Sequence, residues 1–206
     1  MLRTLLLTAS IALVAAPLAA QAPDGWKVRV DRSTSAEDPD DRPDLKVVTM
    51  GKGFHVTGGP AGTFWNPANS AKGDFTATAT FQLMKPSGHV NYYGLIFGGG
   101  DLEGAAQNYI YFLVAQNGTY TIRHRAGDQV HDIQRGPSPA VTQPGADGRS
   151  SNTLEVRVAG STISYVVNGT VVHTTPKSGM TAKTDGIVGV RVNHQLDVHV
   201  DGFAVK

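Results

Sequence analysis

Apolar and polar residues alternate with period two along much of this chain, and nowhere do they hold a helical period. Phe75, Ala77, Ala79, Phe81 and Leu83 fall on one side of a run whose other side is Thr76, Thr78, Thr80 and Gln82. Successive side chains of a strand point to opposite faces, so the first set is expected in a core and the second toward water. Leu154, Val156 and Val158 alternate with Glu155 and Arg157 in the same way. Further β-rich runs are Trp26 to Val30, 45–50, 53–57, 62–66, Tyr92 to Phe97, Gly186 to Asn193 and Leu196 to Val205. Residues 31–44 and 135–150 are polar or rich in Pro and Gly and read as loops. The reading gives about a dozen strands without an internal repeat, the pattern of a single all-β sandwich or barrel.

Two Asn-Gly pairs sit between such runs, and both residues tolerate the positive φ of a two-residue type I′ hairpin. Across Asn117-Gly118 this turn predicts Leu113 opposite Ile122, Tyr111 opposite His124 and Phe112 opposite Arg123. Both faces of that hairpin are then partly apolar, which predicts a central position in its sheet. A tight turn at Gly160-Ser161 predicts Val158 opposite Ile163 and Val156 opposite Tyr165. Tyr165, Val167 and Val172 continue that apolar face across Asn168-Gly169.

The first 22 residues read as a secretory signal, with Arg3 in the n-region and an apolar stretch from Leu5 to Ala16. Cleavage is expected after Ala20 or Ala22. The stretch is short of the roughly 20 residues of a membrane span, and no other apolar run approaches that length, so no membrane span is expected. The mature domain, residues 23–206, is large enough to bury roughly 70% of its unfolded surface without staples. The chain has no cysteine, which suits a bacterial periplasm or exterior. Its net charge is +1, and removal of the leader takes away Arg3. A near-neutral chain has no electrostatic footprint for nucleic acid.

The Asn168-Gly169 hairpin, the run Thr184-Asp185-Gly186-Ile187-Val188-Gly189-Val190-Arg191-Val192 and a last strand returning to the N-terminal edge resemble the concanavalin A-like lectin/glucanase superfamily. Laminin-G-like modules and bacterial keto-disaccharide hydrolase-type domains are similar in this region. The segments Gly53–Pro60 and Val192–His199 also resemble a group of bacterial exported proteins without an established activity. The likeness spans Trp26 to Lys206. It implies a two-layer antiparallel jelly-roll sandwich and, often, a glycan ligand.

Glycosidases of that fold usually carry Glu-x-Asp-x-Glu, because two carboxylates must flank the scissile bond. This chain has three glutamates, Glu37, Glu103 and Glu155, far apart in sequence; only Glu103 has an acid two positions away, Asp101, and no second Glu precedes it there. The motif is absent, and Asp101 with Asp197 is the carboxylate pair left to a hydrolase. Asp197, His199 and Asp201 share one strand face, but three positions on a straight strand span too far for one ion. His55 and His194 are the histidines placed to bind a sugar hydroxyl, act as acid/base or ligate a metal. Trp65 offers an aromatic face for stacking a sugar, Tyr92 lies beside the space left by Gly94, and Arg191 offers a forked donor near Asn193. The expected ligand groove is Trp65, Tyr92, Arg191, Asn193 and His194, with His55 nearby. No cofactor is expected; calcium at the acidic run Asp38 to Asp44 is the one ion considered, although the run lacks the glycine and terminal Glu of an EF-hand. The function read from this set is an exported, non-catalytic carbohydrate-binding module acting as a monomer. Two alternatives stay open: a saccharide hydrolase or lyase using His and Asp, and an envelope structural or adhesion domain.

Overall fold

A computed structural model describes residues 22–33, 35 and 37–206. Save for Ala22, the secretory leader read from the sequence lies outside the described residues. The strands are β1 Lys27–Asp31, β2 Lys46–Met50, β3 Gly53–Thr57, β4 Ala61–Ala71, β5 Phe75–Lys85, β6 Tyr92–Gly100 and β7 Asn108–Ala115. They continue as β8 Thr119–Ala126, β9 Gln129–Pro137, β10 Ser150–Ala159, β11 Thr162–Val167, β12 Thr170–Pro176, β13 Gly186–Val192 and β14 Asp197–Val205. Sheet I runs β12-β11-β10-β5-β14-β3-β2 and sheet II runs β1-β4-β13-β6-β7-β8-β9, seven strands each. Every pairing is antiparallel. The result is a two-layer sandwich, one of the two architectures that the alternation predicts, in the jelly-roll form that the resemblance implies.

The main core lies between the sheets. β5 turns Phe75, Ala77, Ala79, Phe81 and Leu83 inward, and Thr76, Thr78, Thr80 and Gln82 stay half-exposed. Aromatic rings bridge the two layers: Phe81 meets Tyr93 at 5.7 Å, and Tyr165 meets Phe112 at 5.3 Å between centroids. Such pairs add about 0.5–1.5 kcal/mol each beyond the area they bury.

The two Asn-Gly hairpins differ. Asn168 and Gly169 both have positive φ, at 49° and 82°, and Val167 faces Thr170. The Asn168 side chain also accepts from Thr153 N at 2.8 Å and donates to Ala140 O at 2.9 Å, tying the turn to the loop before β10. At the first hairpin only Gly118 is left-handed, at 80°. Asn117 Oδ1 instead accepts from the Thr119 N–H and hydroxyl, and Gly118 N donates to Ala115 O. That is a three-residue connection, a turn closed by a glycine bulge. It moves the register by one from the predicted pairing: Phe112 faces Ile122, Tyr111 faces Arg123 and Leu113 faces Thr121. β8 is thereby turned over, with Ile122 in the main core.

Sheet II carries a second buried layer on its outer side. Trp65, Ile96, Leu102, Tyr109, Tyr111 and Leu113 cluster there. Opposite residues of antiparallel strands share a face, and Trp65, Gly189, Ile96 and Tyr111 follow one another in register across four strands. Gly189 must be small, because a Cβ there would lie 2.4 Å from Phe64 O. Leu102, from the loop between β6 and β7, closes over the cluster. Arg29 holds that loop, donating from Nη1 to Gly104 O at 2.8 Å and to Leu102 O at 3.3 Å.

Candidate functional site

Four of the six residues read as a ligand groove are brought together on sheet II. Arg191 leaves β13 on its outer face and is 8% exposed. Its Nη1 donates to Asp31 Oδ2 at 2.6 Å, Thr63 Oγ1 at 2.9 Å and Tyr109 OH at 3.1 Å, and its Nε donates to Asn193 Oδ1 at 3.1 Å. The guanidinium also lies 5.9 Å from the centre of the Tyr111 ring. Burial works against the charge of Arg191, but Tyr109 and Asp31 hold its pKa above the ordinary arginine value. Burial likewise works against Asp31, yet Arg191 keeps its carboxyl below the usual carboxylate range. With its amide oxygen turned inward, Gln107 accepts from Arg29 Nη2 at 3.0 Å and Arg125 Nη2 at 3.2 Å, extending the network. Asn193 N donates to Tyr92 O, and the Tyr92 hydroxyl lies 3.1 Å from Thr119 Oγ1. His194 follows at the turn into β14, half-exposed, its pKa lowered chiefly by burial.

The other two do not join them in an open groove: Trp65 shares that outer face of sheet II but is covered, and His55 lies on the other sheet. Trp65 is 3% exposed within the second layer and has no ring face open to solvent. A Trp at a strand centre carries no sequence mark to separate a buried ring from a stacking platform; the cover here comes from a distant loop. His55 stands on the outer face of sheet I. It faces His199 across the β3–β14 pair, with ring centroids 6.1 Å apart, and lies 2.5 Å from Asp197 Oδ1. Of the carboxylates of the acidic run, Asp38, Asp41 and Asp44 are engaged within their own loop, whereas Asp40 turns toward His89 and His194. Asp38 Oδ1 accepts from Asp40 N, Asp41 Oδ2 from Ser33 N and Asp44 Oδ1 from Arg32.

A cleft absent from the sequence reading opens where the first strand meets the last. Its volume is about 400 Å3, and Trp26, Phe203, Lys52, Asn66, Asn69 and Asp201 line it with the chain around Pro23 and Gly53. Trp26 sits 5.0 Å from Phe54 and edge-on to Phe203 at 5.2 Å, and both Trp26 and Phe203 are half-buried. Strand β14 shifts register between Asp201 and Ala204, with Gly202 at φ 61°. This bulge breaks the alternation of Val198 and Val200 and turns Phe203 toward Trp26. The Asp201-Gly202 pair was the available signal. Partly open rings beside amide and carboxylate groups suit a ligand with both a C–H face and hydroxyls.

No family model matches this sequence, and no curated protein matches it. The structure is similar to the carbohydrate-binding module CBM66 from Bacillus subtilis, with TM-score 0.63 and 11% identity over 88% of this chain and 95% of that one. It is also similar to the carbohydrate recognition domain of Emp46p, with TM-score 0.58 and 14% identity over 88% and 87% of the two chains. A Bacteroides ovatus mixed-linkage glucan GH16 protein, solved with a product, gives TM-score 0.58 and 12% identity over 90% and 96%. At these identities the likeness is one of architecture: the chain folds as a concanavalin A-like jelly roll.

Proposed function

We propose that this chain is an exported, non-catalytic carbohydrate-binding module whose ligand site is the cleft between Trp26 and Phe203. The observation that carries this reading is the cleft itself. Its volume, about 400 Å3, is of the size that takes a small ligand. Half-open aromatic rings give a platform for the C–H face of a sugar, while Asn66, Asn69, Asp201 and Lys52 offer donors and acceptors for hydroxyls. Carbohydrate-binding neighbours of the same architecture support the reading by analogy alone. The non-catalytic part is supported by the acid inventory. Asp201 is the one carboxylate among the residues lining the cleft, and glycoside hydrolysis by the usual route takes two. Glu103 pairs with Lys27 and Glu155 with Arg157, both on the surface. Export is supported by the leader-like first 22 residues.

The test is a broad glycan array with residues 23–206, beside Trp26→Ala and Asn69→Ala. Asn69 is outside the aromatic packing, so its variant separates lost recognition from lost folding. Binding of a saccharide class that weakens by roughly tenfold in both variants supports the reading. Silence across the array, or binding indifferent to both changes, overturns it.

A further inference from the structure

At the opposite end of the β3–β14 pair from the aromatic cleft, three separate loops bring Asp40, His89 and His194 together. Asp40 comes from the short 3-10 turn Pro39–Asp41, His89 from the β5–β6 connection and His194 from the β13–β14 turn. One ligand atom from each lies within 4.8 Å of the other two. Asp40 Oδ2 is 3.5 Å from His89 Nε2 and 3.4 Å from His194 Nε2. The two rings lean on one another with centroids 5.3 Å apart.

These separations are informative. A charge-assisted hydrogen bond between imidazolium and carboxylate closes to about 2.7–2.9 Å, and neither contact does so. The carboxylate oxygen instead stands almost equally far from both nitrogens. Around a tetrahedral ion with bonds of about 2.1 Å, neighbouring ligand atoms stand about 3.4 Å apart. Two edges of such a site are therefore already in place. Imidazole nitrogen with one carboxylate is a donor set for zinc-like ions, whereas calcium takes an all-oxygen shell.

The ligands are also braced. Gln195 Nε2 donates to Pro39 O at 2.7 Å, joining the Asp40 turn to the His194 turn. Gln195 N donates to Gly59 O, and Asn193 N to Tyr92 O. The His89 carbonyl accepts from Gln116 Nε2 at 3.1 Å and from Ser87 Oγ at 2.5 Å. Asn91 Nδ2 lies 3.1 Å from His89 Nε2 and also donates to Ser87 Oγ at 3.1 Å. An incoming ion takes the imidazole lone pair, and Asn91 keeps its serine partner.

We propose that Asp40, His89 and His194 form a binding site for one divalent transition-metal ion of the zinc type, with a coordination position left for a water or an outside oxygen donor. The site is independent of the aromatic cleft, so it stands or falls without the carbohydrate reading.

The experiment is calorimetric titration of zinc chloride into chelator-treated residues 23–206, repeated with Asp40→Asn, His89→Ala, His194→Ala and His199→Gln. Cobalt(II) titration followed by visible absorption gives the coordination geometry. The expected result is saturable one-to-one zinc binding and an intense tetrahedral cobalt spectrum. Each of the first three changes weakens binding by at least about tenfold, His199→Gln leaves it unchanged, and calcium gives no competing heat. His89 is on an exposed loop, so His89→Ala leaves the fold intact, as a thermal melt checks. Absence of saturable binding overturns the proposal. So does binding that survives His89→Ala and His194→Ala, or binding abolished by His199→Gln alone.

Discussion

On the outside of sheet I, Thr78, Thr80 and Gln82 of β5 stand half-exposed beside Thr153, Glu155 and Arg157 of β10. On the outside of sheet II the equivalent positions hold Ile96, Tyr109, Tyr111 and Leu113, all buried. Both sheets share the main core on their inner faces, so the contrast isolates what an outer face does. The outer face of sheet I is a solvated ladder, in which Thr80 and Thr153 join hydroxyls at 2.8 Å. The outer face of sheet II is a second core, and a second core needs a cover. Here the cover is a loop carrying Leu102, fastened by Arg29, with Arg191 and Asp31 closing the adjoining side. Apolar residues on both faces of one strand therefore mark a site where another segment must arrive.

The change with the largest expected effect is Arg191→Ala, which takes from half-buried Asp31 the closer of its two arginines, leaving Arg29 at 3.2 Å, and removes the donor shared by Thr63, Tyr109 and Asn193. A loss of about 3–5 kcal/mol is expected, read as a lower urea midpoint. The double change Arg191→Met with Asp31→Asn is expected to cost less than the single one, because the carboxylate that Arg191 neutralised is removed with it and Arg29 keeps its bonds to the Leu102 and Gly104 carbonyls. Trp65→Ala should cost about 3 kcal/mol, as for a large residue of the main core; a cost below 1 kcal/mol would mean that the second layer is a surface rather than a core. Acid comes next. The Asp31 carboxyl is held low in the fold, so its contribution is complete above the ordinary carboxylate pKa and fades as pH falls through the lowered value. Urea midpoints taken from about pH 5 down to about pH 2 should fall for the native chain, and fall less for the Arg191→Met, Asp31→Asn pair. The smallest effect belongs to sheet I: Thr80→Ala should stay within about 0.5 kcal/mol.

Local rules carry the sequence reading a long way where partners are adjacent in the chain. The predicted pairs Val158 with Ile163 and Val156 with Tyr165 are present, as is the inward face of β5. The first hairpin shows the limit: the Asn117 side chain bonds to Thr119 and keeps Asn117 out of the left-handed region, a choice that the Asn-Gly pair alone does not encode. The site depends more on distance along the chain. Arg191, Asn193 and His194 are neighbours in sequence and meet Tyr92 by strand pairing. Trp26 meets Phe203 only after the first and last strands have docked, and Asp40 meets His89 and His194 only where three loops converge. Alternation says which way a side chain points; it does not say which remote segment it will find there.

Strand β14 lies inside sheet I, between β5 and β3, although it is the last strand in chain order. Without it that sheet is two pieces, β12-β11-β10-β5 and β3-β2, with unpaired edges facing a gap. Pairings so remote in sequence form slowly, because a long loop must be closed before any contact rewards it. The sandwich therefore cannot lock until residues 197–205 are free to insert. A chain that emerges N-terminus first gains this keystone only after the other thirteen strands are out.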